Sequence, residues 1–135
     1  MADDNPSIIS HVSLGTNRFV EARAFYEKAL AELGCKVILE HPGATAFGKI
    51  YPEFWLQAPH DGKSATVGNG THVGFFAASR AEVDAFFHTA IAAGASPDGD
   101  PGGREHYGAP YYGCFVRDLD GNKIEATFWD AALDN

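Results

Sequence analysis

The sequence predicts an α+β fold in which one domain is built from two tandem β-α-β-β-β units, at about residues 8–57 and 71–128. Three observations lead there. Adding 61 to first-half numbers lands on matching residues without a gap: His11-Val12 becomes His72-Val73, Glu21 becomes Glu82, and Ala24-Phe25 becomes Ala85-Phe86. Each half carries one apolar stripe at helical spacing that ends at a glycine, Gly34 or Gly94. Around each stripe lie short runs with strand character, separated by Gly and Pro.

In chain order, residues 1–6 read as a loose end, and Ile8 to Leu14 alternates as a strand with Ile9, His11 and Ser13 on one face. Gly15-Thr16-Asn17 supplies a break and a helix cap. From Arg18 to Leu33, Phe19, Ala22, Tyr26, Ala29, Leu30 and Leu33 form the buried stripe of a helix. Three strands follow at Cys35–Glu40, Ala44–Tyr51 and Glu53–Gln57, broken by His41-Pro42-Gly43 and Pro52. A polar connection, Ala58 to Gly70, leads to a strand from Thr71 to Ala77. Ser79-Arg80-Ala81-Glu82 is a capping box, and Val83, Phe86, Phe87, Ala90 and Ile91 are the stripe it opens. The strand after this helix is the weakest element, because Asp98-Gly99-Asp100-Pro101-Gly102-Gly103 opposes regular structure. The chain closes with a hairpin. Asp118-Leu119-Asp120-Gly121-Asn122 is turn chemistry between the apolar runs Tyr111–Val116 and Lys123–Phe128. On its second strand Lys123, Glu125 and Thr127 share the face opposite Ile124, Ala126 and Phe128.

Composition narrows the function. With 135 residues, 45% hydrophobic and 13% aromatic, the chain can bury a core, and no apolar run approaches the length of a membrane span. A net charge of −8 without a Lys/Arg cluster opposes a nucleic-acid partner. The acidic start, Met-Ala-Asp-Asp-Asn-Pro, lacks the pattern of a signal peptide, and Cys35 and Cys114 read as buried free thiols. A cytoplasmic location is the expectation.

His11 and His72 hold equivalent strand positions in the two repeats, and Glu125 lies midway along the last strand. Two imidazoles and one carboxylate make a ligand set for a divalent cation, with positions left for water or substrate. A single strand histidine is usually a satisfied, partly buried residue, and a single strand glutamate is usually solvated. The repeat register is what lifts this trio above that reading. Upstream of the hairpin, the irregular segment from Gly102 to Tyr112 offers Arg104 as an anion clamp, His106 as an acid/base group, and Tyr111 or Tyr112 as a hydroxyl donor. Pleat parity lets only one of the two tyrosines face the site. Trp55 would be an apolar wall of the pocket.

The sequence His11-Val12-Ser13-Leu14, the helix with Phe25-Tyr26, Thr71-His72-Val73 and the stretch Asp118 to Glu125 resemble the vicinal oxygen chelate superfamily. That superfamily includes glyoxalase I, fosfomycin-resistance transferases, extradiol dioxygenases and bleomycin-resistance proteins. The resemblance runs from about Ile8 to Thr127, and Leu119 stands where the family commonly has Pro. It implies a cupped mixed sheet around one divalent ion, with His11, His72 and Glu125 as ligands, and a homodimer. One chain can complete the cup of the other, or the two units of one chain can build it alone, and the sequence leaves both open. Glyoxalase I has a fourth ligand, a glutamate, at the position matched here by Trp55. Two His and one carboxylate suit Fe, Mn, Zn or Ni. The expected function is a metal-dependent lyase or isomerase, transferase or dioxygenase. Its small-molecule substrate chelates the ion through adjacent oxygens, with Glu125 also moving a proton. The alternative is a metal-free drug-binding protein of the bleomycin-resistance type.

Overall fold

Strand β1 (Val12–Gly15), helix α1 (Phe19–Ala31) and strands β2 (Lys36–His41), β3 (Ala44–Gly48) and β4 (Phe54–Gln57) form the first unit. Strand β5 (His72–Phe76), helix α2 (Arg80–Ala92) and strands β6 (Ser96–Gly102), β7 (Tyr111–Arg117) and β8 (Lys123–Trp129) form the second. This is a computed structural model, which describes residues 5–133. The two sheets have the same strand order, β1-β4-β3-β2 and β5-β8-β7-β6. In each, the first and last strands of the unit pair in parallel, and the remaining pairs are antiparallel. The repeat read from the sequence is therefore a repeat of topology.

Alternation along the strands decides which way each sheet faces. Val12 and Leu14, Phe47, and Phe54 and Leu56 point toward α1, whose Ala22, Phe25, Tyr26, Ala29 and Leu30 are buried. Val73 and Phe75, Cys114 and Val116, and Ile124 and Ala126 meet α2 through Val83, Phe86 and Phe87. One continuous core runs under both helices. Phe54 and Phe75 join the halves edge to face at 5.1 Å, and Thr89 of α2 donates a 2.6 Å hydrogen bond to Glu32 at the end of α1. Burying aromatics of this size contributes about 1.5–3 kcal/mol each.

The capping box forms: Ser79 Oγ accepts from Glu82 N at 3.1 Å, while the Glu82 carboxylate reaches back to Ala78 N at 2.8 Å. The start of α1 works differently. Its first-turn partner comes from the far hairpin, where Asp120 accepts from Asn17 N at 2.9 Å and from the Thr16 hydroxyl at 2.5 Å. In the same turn, Asp118 accepts from Asp120 N, Asn122 N and the Asn122 amide, and from the Tyr26 hydroxyl at 2.5 Å. Asn122 donates onward to Gly15 O at 3.2 Å. The Asp118–Asn122 turn thus ties the second unit to the β1–α1 junction of the first.

Three expectations about the strands change. The strand expected over Ile8–Leu14 begins only at Val12, because its partner β4 has four residues and leaves nothing for residues 8–11 to pair with. Ile8 and Ile9 are exposed there. The Pro/Gly-rich stretch after α2 is a strand after all, but with register shifts between Pro97 and Gly99 and between Gly99 and Gly102. The strand expected to run to Tyr51 ends at Gly48. Cys35 and Cys114 are free; Cys114 is buried in the core, where burial pushes its thiol up to about 11, whereas Cys35, expected to be buried, is only partly so and packs against the core. No helix among the described residues is long and apolar enough to cross a membrane.

Burial first, and then the charge and hydrogen bond of Asp118, raise the pKa of Tyr26 well above its ordinary 10. The folded state therefore holds this proton more tightly than the unfolded chain does. That contribution is complete below pH 10 and is lost as pH rises from there toward the folded pKa. Urea unfolding should show stability falling as pH rises above about 10, with a shallower fall in Tyr26→Phe. Equal slopes in the two proteins would remove Tyr26 from this account.

Candidate metal centre

His72 opens β5 and Glu125 sits at the middle of β8, and these two strands are adjacent and parallel. The register pairs His72 with Lys123 and Gly74 with Glu125, so all four lie on the face turned away from α2. His72 Nε2 stands 3.2 Å from Glu125 Oε1. Glu125 is only 8% exposed, unusual for a carboxylate with no cation against it. Its other oxygen, Oε2, accepts from the Tyr111 hydroxyl at 2.5 Å. Burial, followed by the hydrogen bond and charge of Glu125, raises the Tyr111 pKa, which keeps the proton on the phenol.

Two glycines make room for this arrangement. A Cβ on Gly74 would stand 3.1 Å from Glu125 Oε1, and one on Gly113 would stand 2.3 Å from the Tyr111 hydroxyl. Gly113→Ala should therefore displace the tyrosine, destabilise the protein by about 1–3 kcal/mol and lower its melting temperature. An unchanged melt would mean that the Tyr111 ring and the Ala126 carbonyl, 2.9 Å from the added Cβ, both move aside freely.

The structure brings together some of the sequence candidates and separates others. His72, Glu125 and Tyr111 meet. Tyr112 points to the opposite face, where it donates to Asp84 at 2.7 Å, as pleat parity requires of one of the pair. His11 lies just before β1 on the other sheet, exposed, with its Nδ1 3.0 Å from the Ser10 hydroxyl. Among the described residues of one chain, no three His, Cys, Asp or Glu side chains gather as a metal site. Trp55 is half-buried in the first sheet and stacks on His41 at 6.0 Å. Arg104 spends its donors on the carbonyls of Asp100, Gly102 and Gly103, staples its own loop and lies 5.9 Å over the Phe115 ring. His106 is exposed on a single 3-10 turn beside Tyr107.

Sequence reasoning passed over Lys123, Arg117, Phe115 and Asp98, which surround the His72–Glu125 pair. Lys123 had the right parity, two residues before Glu125. The others needed the β7–β8 and β6–β7 registers.

The family model of the glyoxalase/bleomycin resistance protein/dioxygenase superfamily matches residues 8–126. The chain belongs to that superfamily. Among solved structures, it is similar to a glyoxalase/bleomycin resistance protein from Albidiferax ferrireducens T118, with 34% identity and a TM-score of 0.82 over 90% of this chain and 98% of that one. A glyoxalase-related enzyme from Fulvimarina pelagi (17% identity, TM-score 0.69, 92% and 88% covered) shares the fold. So does a lactoylglutathione lyase from Agrobacterium tumefaciens (23% identity, TM-score 0.64, 92% and 95% covered). No curated protein matches this sequence.

Proposed function

We propose that the chain is a divalent-metal-dependent enzyme whose small-molecule substrate chelates the ion through adjacent oxygens. Each centre uses His72 and Glu125 of one chain with His11 of a second. The observation that carries this reading is the 3.2 Å approach of His72 Nε2 to a nearly buried Glu125 carboxylate. Two donors on one divalent ion at roughly 2.1 Å each stand about 3.0–3.4 Å apart, so the pair fits a shared ion without rearrangement. The bland alternative, a histidine–glutamate hydrogen bond on a sheet, accounts for the distance. It does not account for Tyr111 holding the second oxygen while two glycines clear the space.

When bound, the ion supplies Lewis acidity toward the substrate's oxygens. The chain's own residues do the rest. Tyr111 fixes the Glu125 carboxylate plane through Oε2 and leaves Oε1 facing the open side, where it can accept or return a proton. Trp55 of the first sheet supplies an apolar wall, and Arg104 and His106 border the far end of the second sheet. The placement of His11, apart from His72 and Glu125 in its own chain, supports a homodimer. The helix-free face of the second sheet is open, with Phe76 78% and Trp129 49% exposed, and Ile8, ahead of β1, is 98% exposed; a second copy would cover them.

Elemental analysis of the purified protein tests the proposal. The expected result is about one Fe, Mn, Zn or Ni per chain, removed by chelation and restored by adding the ion back, with a matching change in melting temperature. No metal and no response to added ions would sink it, leaving the metal-free binding reading. Tyr111→Phe should keep the metal but lower its affinity by roughly 10–100-fold, since the hydroxyl orients a ligand and does not itself ligate. An unchanged affinity would detach Tyr111 from the centre.

A further inference from the structure

Beside the His72–Glu125 pair, two cations converge on one point. Arg117 of β7 and Lys123 of β8 are register partners on the same face as Glu125. A single oxygen, Asp98 Oδ2, lies 3.0 Å from Arg117 Nε and 3.6 Å from Lys123 Nζ. They border a cleft of about 420 Å³ whose other wall is the Gly68–Thr71 loop, and His72 lines this cleft as well as facing Glu125. The Lys123 ammonium sits 4.9 Å over the Phe115 ring, against which His72 also packs edge-on at 5.8 Å, so one aromatic platform carries both.

We propose that Arg117 and Lys123 form an anion-binding subsite, selecting substrates that carry a carboxylate or phosphate next to the oxygens that chelate the metal. Two positive side chains face one carboxylate, Asp98, while the charge of the neighbouring Glu125 would be met by the metal, in a chain whose net charge is −8. Asp98 already shows that both cations reach one anionic oxygen. Arg117 spends Nε on Asp98 at 3.0 Å and one terminal donor on Gly121 O at 3.2 Å, and among the described residues the Lys123 ammonium makes no hydrogen bond, so donors remain on both side chains for a ligand. As a surface ion triad the cluster would add little to stability. As a subsite it places charge-assisted donors on the wall that the metal ligand His72 shares. The substrate assignment rests on the metal-centre reading, whereas the anion site does not.

The experiment titrates manganese-loaded protein with D-glycerate, D-malate and 3-phospho-D-glycerate. These share a 2-hydroxycarboxylate head and carry, respectively, no further anion, a carboxylate or a phosphate. At least one of the two anionic compounds should bind roughly tenfold tighter than glycerate, and the one that does names the group. That advantage should disappear in Arg117→Met and Lys123→Met with metal content unchanged. It should grow in Asp98→Asn, a gain that a damaged fold cannot imitate. Equal binding of all three compounds, or an advantage that survives the double variant, would overturn the proposal. If the protein takes up none of Mn, Fe, Zn or Ni, the metal-centre reading fails by itself. Inorganic phosphate titrated into the metal-free protein then decides: NMR shifts at Arg117 and Lys123 that vanish in the double variant support the subsite, and their absence overturns it.

Discussion

Glu125→Gln, His72→Ala and His11→Ala should each lower metal affinity by more than about a hundredfold while the protein stays folded. Glu125 and His72 already stand at ligand spacing in the single chain. In the Glu125→Gln variant the amide would keep the shape, and the Tyr111 hydroxyl would still find an acceptor, but the negative charge that draws the ion would be gone. His11 is the sharper case, because it is exposed and does not gather with the other two proposed ligands within its own chain. If the centre is shared, His11→Ala protein and Glu125→Gln protein, each metal-poor alone, should complement one another. Refolded together, they form mixed dimers in which one site receives an intact His11 from one chain and an intact His72 and Glu125 from the other. Random pairing would restore about a quarter of a site per chain. No recovery on mixing would place all the ligands within one chain. Full metal retention in the three single variants would dissolve the centre altogether.

Asp118→Ala should be the most destabilising change outside the core, by about 3–5 kcal/mol, lowering the melting temperature by roughly 10–20 °C. Asp118 is 6% exposed and accepts four hydrogen bonds, from the Tyr26 hydroxyl, the Asn122 amide and the backbone of Asp120 and Asn122. Alanine would leave all four donors without their acceptor in a region with little access to water, and an orphaned buried donor costs about 1–3 kcal/mol before relaxation. Asp118→Asn keeps one oxygen and should fall between the two. Differential scanning calorimetry separates the outcomes. A loss of only a few degrees in Asp118→Ala would show that water replaces the carboxylate and that the turn does not hold the units together.

The repeat, the two helices with their glycine ends and the capping box were legible because each is local or recurs at one fixed spacing. Pleat parity likewise placed Glu125 on the face opposite Ile124 and Ala126. What failed depended on partners far away in sequence. Residues 8–11 alternate well enough for a strand, but alternation carries no information about how long the partner strand is. The Pro/Gly run of β6 contradicts strand propensity, and its pairing with β7 overrides that with two irregularities. Arg104 reads as a free cation in any sequence, yet its donors go to carbonyls within four residues of it. Lys123 and Arg117 look like ordinary solvated charges until the register sets them side by side.

The bonds from Asp120 to Thr16 and from Asp118 to Tyr26 span 104 and 92 residues. During synthesis, the first half emerges long before the turn that completes the start of its helix. Until then the Thr16 hydroxyl, Asn17 N–H and Tyr26 hydroxyl have no acceptor from the hairpin, so the nascent first half lacks contacts that hold it in the finished fold. Such distant closures slow folding relative to a chain whose contacts are local. A chain cut short before Asp118 would also lose the whole of β8, which pairs with both β5 and β7. The duplicated architecture is thus closed by its final segment.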